Sequence, residues 1–407
     1  MGFQQLKIRF LHGCKKVVLT PERVIYTHIT TPALVKRLRE KEKIKVLFVV
    51  FEVASWKTES LYNQMLAHPR FNPMLLVVPS KENKDEIRNV ENYMQSRGYE
   101  YSELKEKETI QNKYHPDIIF YQKPYSWCID QSLFFRKNLK SLFCYMSYCF
   151  RNTMMDFNQN TFFHNYAWQV YLENDSVKEE MKSIMDNGGR NTIVTGLTVM
   201  DDLMKDKSLI FDPWKPLVGR KRIIYAPHHT INHETINRST FLLYGEFMLE
   251  MARKYKDSVQ WAFKPHPLLK EKLFKVWGKQ KTESYYREWE QMENSQIETG
   301  EYMGLFKHSD AMIHDSGSFI LEYIYMHKPV MYLFSEESLN SVNKQTQEAI
   351  KVHSLGLNKN QVEQFIEDVV SGKDLRKHDR ESFYANYLIP HGNSVCENVI
   401  DCILGTK

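Results

Sequence analysis

Short apolar runs alternate with amphipathic segments along most of the chain. In the first half, near-continuous apolar runs lie at residues 43–52, 71–79, 115–122, 141–150, 168–174 and 191–196. Strands that are covered on both faces of a sheet have this composition. Ile87, Val90 and Met94 repeat at helical spacing between two of these runs, and Asp175 is placed to cap a helix that reaches Met185. The pattern predicts a sheet of parallel strands joined by helices.

The same alternation restarts in the second half of the chain. The polar stretch 205–221 contains Pro213, Pro216 and Gly219, and it is predicted to be a linker. Beyond it we predict strands at 222–227, 259–265, 310–315 and 329–334, and helices at 240–255, 316–326 and 361–371. Two successive runs of this kind predict an α/β protein with two doubly wound, Rossmann-like domains that face a central cleft. The predicted divisions are a basic N-terminal segment (1–42), a first domain (43–204), a second domain (222–379) and C-terminal helices (380–407).

Positive charge is concentrated at the start of the chain. The net charge of +5 is too small to predict nucleic-acid binding, but residues 1–46 hold eleven Lys and Arg against three Glu. Segment 31–42 predicts a short helix with Leu34, Val35 and Leu38 on one side. This helix either rests on an anionic membrane surface or packs, with a solvated charged face, on the first domain.

The cysteine spacing and the hydropathy give no sign of secretion. The six cysteines form no CxxC pair and show no Cys/His spacing typical of a metal site. The N-terminus lacks the apolar core of a signal peptide, and no apolar run reaches the roughly 18 residues of a membrane span. We therefore expect a cytoplasmic protein with reduced thiols. Peripheral contact with the inner face of the plasma membrane is the further expectation if the basic N-terminal helix rests on the membrane.

One predicted strand runs directly into Asp315-Ser316-Gly317-Ser318 and then into a predicted helix. Gly317 permits a tight turn, and Ser316 and Ser318 can cap the helix or offer hydroxyl donors. The N–H groups at a helix start form a ready site for an anion. An ordinary capped helix would have the same sequence, so this turn alone does not decide between the two interpretations.

A second predicted strand ends at Lys264-Pro265-His266-Pro267. Lys264 can hold a phosphate as a point charge, and the prolines restrict the backbone so that His266 is presented rigidly. A histidine there can donate a hydrogen bond to a phosphate oxygen or protonate a leaving one. The alternative is a structural histidine in a tight turn, but two such loops in one domain favour a diphosphate site.

Several further side chains are weaker candidates for this chemistry. Glu322 follows Ser318 by four residues and is predicted to accept hydrogen bonds from ribose hydroxyls, although a solvated acid would fit as well. His228 and His229 follow the first strand of the second domain, and the sequence does not decide which of them is functional. In the first domain, His164 and Asp156 are candidates for a base on the acceptor side.

The segments "IIYAPHH", "WAFKPHPLL" and "GEYMGLFKHSDAMIHDSGSFILEYIYMHKPVMYL" together resemble the CDP-glycerol glycerophosphotransferase family, the teichoic-acid primases and polymerases with a GT-B fold. The resemblance covers residues 220–335. It implies donor phosphate and cytidine binding by a C-terminal domain, with roles for His266, Pro267, Asp315, Ser316 and Ser318. Glu301 and Tyr302 resemble the acidic residue and hydrophobe that precede a short helix in that family.

The chain departs from the family at two places. The family usually has Asp-Tyr-Ser-Ser where this chain has Asp315-Ser316-Gly317-Ser318. It also usually has a His-Gly-Thr segment in the first domain, where this chain reads "CYMSYCFRNT" at 144–153, without a histidine. The Asp-Ser-Gly sequence is similar to the nucleotide loop of UDP-N-acetylglucosamine 2-epimerases, another GT-B group.

The resemblance implies a transferase that moves glycerol phosphate, or ribitol phosphate, from a CDP-activated donor to a hydroxyl of a glycan or lipid-linked precursor and releases CMP. His266 and His228 are the expected catalytic residues. Donor binding is assigned to Lys264, Pro267, Glu322 and the turn from Asp315 to Ser318. No resident cofactor or metal is expected, although Mg²⁺ can accompany a diphosphate. A CMP-sugar glycosyltransferase, a UDP-sugar epimerase and a non-enzymatic partner of a glycan-assembly complex are the alternatives.

Overall fold

The structure, a computed structural model, describes residues 21–81, 85–105, 107–125, 128, 130, 133–152, 159–231, 239–335, 339 and 342–406. The chain forms two compact units. The first takes the described residues up to Cys149, those from 159 to Val199, and those from His391 onward. The second takes residues 150–152 and the described part of Met200–Pro390.

The first unit is built on a sheet of six parallel strands in the order β2-β1-β3-β4-β5-β6. Almost every strand side chain is buried, which explains why the strands appear as continuous apolar runs in the sequence. The strands are β1 (Ile44–Val50), β2 (Phe71–Val77), β3 (Ile118–Tyr121), β4 (Leu142–Met146), β5 (Gln169–Leu172) and β6 (Thr192–Val194).

The second unit repeats this plan with six parallel strands in the order β12-β11-β10-β7-β8-β9. Trp261, Phe263 and Trp289 lie in its core, and the rings of Phe263 and Trp289 stack 5.0 Å apart. The strands are β7 (Lys221–Ala226), β8 (Val259–Phe263), β9 (Ser295–Ile297), β10 (Ala311–His314), β11 (Val330–Leu333) and β12 (Ser354–Gly356).

Helices connect the strands of both sheets, as parallel pairing requires. In chain order they are α1 (Thr31–Glu40), α2 (Glu59–Ala67), α3 (Glu86–Ser96), α4 (Ile110–Lys113), α5 (Phe162–Tyr166), α6 (Asp175–Ile184), α7 (Thr198–Met204), α8 (Phe241–Lys254), α9 (Leu269–Trp277), α10 (Lys279–Gln291), α11 (Met303–His308), α12 (Phe319–Glu322), α13 (Lys344–Lys351), α14 (Lys359–Val370), α15 (Lys377–Tyr387) and α16 (Val395–Leu404). The predicted α/β class with two parallel sheets is confirmed.

Some local predictions were wrong. The strands β9 and β12 were not predicted because each has three residues, too few for an apolar run to stand out. The cap of α6 is Asn174, whose side chain accepts a hydrogen bond from the Val177 N–H, and not Asp175.

Helix α1 buries Leu38 and partly covers Leu34 and Val35, so the apolar face predicted from the sequence packs inward.

Helix α16 belongs to the first unit although it follows the whole second unit in the sequence. The Gln169 Nε2–H at the start of β5 donates to the Cys402 carbonyl over 3.2 Å, and Asn398 Nδ2 donates to the Thr195 carbonyl over 3.4 Å. The last helix is therefore tied by side-chain hydrogen bonds to the start of β5 and to the residue after β6. Among the described helices, none combines the length and the apolar character that crossing a bilayer requires.

Residues 206–216, here called the strap, lie against α11 and β9 in the second unit. The Trp214 Nε1–H donates to the Leu305 carbonyl over 3.2 Å, and the Lys215 N–H donates to Gln296 Oε1 over 2.9 Å. The backbone of the strap approaches α11 most closely at Gly304. A Cβ on this residue would lie 2.4 Å from the Phe211 carbonyl oxygen. Only a residue without a side chain allows this approach of the two backbones.

Gly304→Ala should destabilise the second unit by about 1–3 kcal/mol, because a backbone carbonyl cannot move aside as a flexible side chain can. Urea unfolding would measure the change. The matched control is Phe211→Ala, which removes an exposed side chain next to the same carbonyl and should change stability by less than about 0.5 kcal/mol. Equal stability of Gly304→Ala and the parent protein would contradict the close contact.

Candidate donor-phosphate site

Three loops meet at one edge of the second sheet. The strands β10, β7 and β8 are neighbours in that order and run parallel, so their carboxyl ends lie side by side. The loop after β8 carries Lys264 to Pro267, and the turn after β10 carries Asp315 to Ser318. Between them lies the loop after β7, with His228 and His229. The histidine pair thus lies between the Lys264–Pro267 loop and the Asp315–Ser318 turn, the two segments that the sequence singled out.

The Asp315 carboxylate holds these loops together from below. Its side chain is fully buried. Oδ1 accepts a hydrogen bond from the His228 backbone N–H over 2.5 Å, and Oδ2 accepts from the Thr240 N–H over 2.6 Å and the Thr240 hydroxyl over 2.9 Å. One carboxylate therefore fixes both ends of the segment between His228 and Thr240. Asp315 is thus a buried residue that positions the loops.

His266 is held at the edge by backbone contacts on both sides. Its N–H donates to the Pro227 carbonyl over 3.0 Å, and its ring Nδ1 accepts from the Leu268 N–H over 3.1 Å. Because Nδ1 accepts, a neutral ring carries its proton on Nε2. The half-buried imidazole therefore offers one N–H donor at a position set by these two backbone contacts.

His228 and His229 stack against this ring. The ring centres of His229 and His266 are 4.0 Å apart, and those of His228 and His266 are 5.3 Å apart. His228 Nδ1 lies 2.9 Å from the Thr230 hydroxyl and 3.4 Å from the Thr230 N–H, which also favours a proton on its Nε2. The sequence could not choose between the two histidines, and the structure brings both to His266.

The three imidazoles form, within the described residues, a group whose ligand atoms lie within 4.8 Å of one another, close enough to consider a metal ion. A metal bound at Nε2 needs a lone pair there and the proton on Nδ1. At His266, Nδ1 is instead the acceptor of the Leu268 N–H, so Nε2 carries the proton. The arrangement suits an anion that accepts hydrogen bonds better than a cation that needs lone pairs.

The charge states in this region follow from burial. Desolvation, followed by the neighbouring His229, lowers the pKa of His266 to about 3, so the ring is neutral at pH 7. Burial raises the pKa of Asp315 to about 6, against the opposing effect of the three hydrogen bonds, so most of the carboxylate is charged at pH 7. A negative ligand beside His266 would raise the pKa of that ring.

The serine turn is less helical than predicted. Ser316 and Ser318 are half-buried and Gly317 is buried. Ser318 makes no side-chain capping bond, and α12 has only four residues before it tightens into a 3₁₀ turn at Tyr323–Met326. The predicted capping by serine was wrong. Any anion binding at this turn must therefore come from local N–H and hydroxyl groups, since so short a helix has little dipole.

Lys264 and Glu322 both point inward and meet at Tyr302. The Lys264 ammonium donates to the Gly300 carbonyl over 3.0 Å and lies 5.7 Å from the centre of the Tyr302 ring. The Tyr302 hydroxyl donates to Glu322 Oε2 over 2.6 Å, and the Glu322 side chain is buried. These three residues tie the loops after β8 and β9 to α12.

The remaining candidates lie in separate places. Pro267 is exposed beside His266, and exposed Glu301 accepts a hydrogen bond from the Met303 N–H over 3.2 Å at the start of α11. In the first unit, His164 is fully buried, with Nδ1 2.7 Å from the Thr161 hydroxyl and its ring 4.6 Å from Tyr145. This environment is that of a core histidine. Asp156 lies outside the described residues.

Two buried histidines beneath the serine turn should make the protein sensitive to acid. Burial lowers the pKa of His353 to about 3 and the pKa of His314 well below its ordinary value. Below pH about 6.5 the unfolded chain binds protons that the folded chain does not, so stability falls by up to about 1.4 kcal/mol per pH unit for each ring. Asp315 acts in the opposite direction from pH about 6 downward, because its folded form takes up a proton first.

Urea unfolding at pH 7.5, 6.5 and 5.5 would test this acid dependence. His353→Asn should reduce the loss of stability between pH 6.5 and 5.5 by up to about 1.4 kcal/mol. His378→Asn, at an exposed histidine of the same unit, should leave the loss unchanged. A parent protein equally stable at all three pH values would contradict the buried neutral rings.

Asp315→Asn should loosen the loops, because an amide offers one acceptor where the carboxylate serves three donors. We expect a loss of about 1–3 kcal/mol in urea unfolding. Thr240→Val, which removes only the hydroxyl donor, is the milder companion, with a loss of about 1 kcal/mol. If Asp315→Asn were as stable as the parent protein, the carboxylate would not be holding the two loop ends.

Comparison with known proteins gives the fold a wider context. No family model matches this sequence, and no curated protein sequence matches it. Among solved structures, a UDP-N-acetylglucosamine 2-epimerase is similar with a TM-score of 0.59 at 15% identity, over 90% of this chain and 97% of the other. The Methanocaldococcus jannaschii UDP-GlcNAc 2-epimerase, in complex with UDP-GlcNAc and UDP, gives 0.56 at 14% identity, over 90% and 100%.

A variant of the wall teichoic acid polymerase TagF is also similar, with a TM-score of 0.56 at 12% identity, over 100% of this chain and 98% of the other. At such low identities the likeness concerns the fold and not the activity. Two parallel six-stranded sheets with helices, matching these neighbours over nearly their whole length, give the chain the GT-B fold of transferases and epimerases.

Proposed function

We propose that this chain transfers a polyol phosphate, with glycerol phosphate the first candidate, from a CDP-activated donor to a hydroxyl of a surface-glycan precursor at the cytoplasmic membrane face. The observation that carries the proposal is the meeting of three loops at the ends of β7, β8 and β10. They bring His228, His266 and the serine turn to one edge, and the sequences of these same segments resemble those of the glycerophosphotransferases.

The hydrogen-bond donors on these three loops suit a diphosphate. His266 and His228 are each placed to donate an Nε2–H, and Ser316 and Ser318 add hydroxyl groups at the neighbouring turn. Phosphate oxygens accept such hydrogen bonds, and donors fixed in advance need no reorganisation when charge develops. Lys264 adds a positive charge close behind this surface.

In the proposed reaction the acceptor hydroxyl attacks the β-phosphorus of the donor. A new O–P bond forms as the bond from that phosphorus to the oxygen bridging to CMP breaks. The acceptor hydroxyl releases its proton to solvent, and CMP leaves. Such transfers depend on positioning and on stabilising charge at the leaving oxygen. His266 would supply that stabilisation through its Nε2–H. As a neutral ring, His266 acts as a hydrogen-bond donor. The negative charge of a bound diphosphate would raise the pKa of this ring, so that a protonated imidazolium could form and donate its proton to the leaving oxygen.

No resident metal or cofactor is part of the proposal. Mg²⁺ bound to the diphosphate would be compatible with it, because the loops provide donors for only part of the phosphate charge. The proposal includes no role for nucleic acid.

A UDP-sugar epimerase is the second candidate, with equal support from structural similarity. The neighbours include UDP-GlcNAc 2-epimerases that the chain matches over 97–100% of their length, and one of them is in complex with UDP. The Asp-Ser-Gly sequence of the turn also resembles the nucleotide loop of that group. This enzyme would bind a uridine nucleotide and would need no acceptor, so the nucleobase separates the two candidates.

Calorimetric titration of the parent protein with CDP-glycerol, CDP-ribitol, CMP, CDP and UDP-N-acetylglucosamine is the test. We expect the cytidine diphosphates to bind and His266→Ala to weaken them by about tenfold to a hundredfold, the value of one charge-assisted hydrogen bond. His266→Gln should recover part of the affinity, because its amide can place an N–H donor near the position of Nε2.

The control for these variants is His378→Gln, at an exposed histidine of the same unit. It should bind every ligand like the parent protein. Binding of the uridine ligand alone would replace the transferase proposal by the epimerase. Undiminished CDP-glycerol binding by a folded His266→Ala protein would remove His266 from the donor site.

A further inference from the structure

The donor-phosphate edge gains no accessible positive charge from Lys264. Its side chain is more than nine-tenths buried, and its ammonium donates to the Gly300 carbonyl over 3.0 Å. His266 is neutral at pH 7 and contributes a hydrogen-bond donor without a charge. A diphosphate carries several negative charges, which neutral donors alone balance poorly. A cation from another part of the chain would complete such a site.

Lys272 lies in the first turn of α9, the helix that begins directly after the His266 loop. The Leu269 N–H donates to the His266 carbonyl over 2.8 Å, so the chain turns from the histidine straight into the helix. The Lys272 N–H donates to the Leu268 carbonyl over 3.3 Å. Because a helical side chain leans towards the N-terminus of its helix, the half-buried Lys272 side chain runs back over this turn in the direction of His266.

The positive charge of Lys272 acts on the His266 ring. After burial and His229, the groups that lower the pKa of His266 further are Lys272 and then Lys264, in that order. Among the parts of the chain that the structure describes, no ion pair or hydrogen bond engages the Lys272 ammonium. The edge therefore carries a partly exposed and unbalanced positive charge close to His266.

The position of this lysine is unfavourable for α9 itself. The N–H groups in the first turn of a helix are partly positive, and a cation beside them is destabilising. The packing of the helix comes from Leu269 and Leu273, which are buried. Lys272 therefore does not stabilise the helix through its charge, and an anion would be attracted by the lysine and by the helix start together.

We propose that the Lys272 ammonium binds a phosphate oxygen of the diphosphate at this edge, beside the hydrogen bond that His266 donates. The proposal rests on the diphosphate site of the proposed function, and it supplies the cation that Lys264 was expected to provide. It applies to a CDP-polyol and to a UDP-sugar alike, because both contain a diphosphate. A lysine suits this role, since its ammonium is a compact charge on a flexible stem.

Calorimetric titration of the parent protein and of Lys272→Met with CDP, UDP and inorganic pyrophosphate tests the proposal. We expect Lys272→Met to bind the diphosphates about tenfold more weakly, as for one charge-assisted contact that stays partly exposed to water. The loss should shrink in about 0.5 M salt, because salt screens exposed charges. Lys272→Arg keeps the cation and should retain most of the affinity. Without ligand, Lys272→Met should be at least as stable as the parent protein in urea, whereas loss of a merely structural lysine would lower stability.

The matched control is Lys275→Met, at an exposed lysine about one turn further along α9. It makes the same change of charge in the same helix but at a greater distance from His266, so it should bind every ligand like the parent protein. Equal binding by the parent protein and by folded Lys272→Met would overturn the proposal. An equal loss in both variants would also overturn it, because the effect would then be one of net charge.

Acetylation of the lysines of the parent protein, followed by mass spectrometry, is a second test that needs no variant. Inorganic pyrophosphate or CDP should slow the acetylation of Lys272 and leave that of Lys275 unchanged. Protection of Lys272 by pyrophosphate without binding of any nucleotide would support the anion contact and reject the transferase. Binding of CDP without protection of Lys272 would leave the proposed function intact and reject this contact. If none of the three ligands binds, both are rejected.

Discussion

The arrangement of the three loops after β7, β8 and β10 depends on one group, the buried carboxylate of Asp315. It reaches from the end of β10 to the loop after β7 and to the residue before α8, and it meets three donors there. A charge without solvent exposure is stable only when such partners surround it. Without these contacts, His228 would have no fixed relation to the serine turn, and the row of donors along β10, β7 and β8 would be lost.

Much of this edge could be predicted from the sequence because the relevant signals are local. A buried strand that runs into Lys264-Pro265-His266-Pro267 places a rigid histidine at a strand end, and the parallel sheet then gathers such ends at one side. The sequence could not show that β7 lies between β8 and β10, since strand order is a long-range property. The roles of Thr240 and Tyr302 were missed for the same reason, because each depends on a partner far along the chain.

Other features could not be predicted because they depend on tertiary contacts between residues far apart in the sequence. Lys264 and Glu322 were predicted from the sequence to contact a donor, yet both side chains turn inward around Tyr302. The ion pair of Glu52 and Lys123, which follow the ends of β1 and β3 by two residues each, is invisible in the sequence, because the two residues are 71 positions apart and nothing local marks either one. Ser318 shows the opposite kind of error. The sequence predicts a serine cap there, but the structure has no capping hydrogen bond, because α12 ends after one turn.

The position of α16 has a consequence for how the protein is made. The second unit is formed largely by one continuous stretch of chain, whereas the first unit needs α16, which is synthesised after that stretch. Domains generally fold as units in the order in which they leave the ribosome. Here that order is inverted, because the side of the first sheet formed by β5 and β6 lacks its contacts with α16 until the C-terminal helix emerges. During translation, the far edge of the first sheet is therefore the part of the molecule most exposed to wrong pairing and to chaperones.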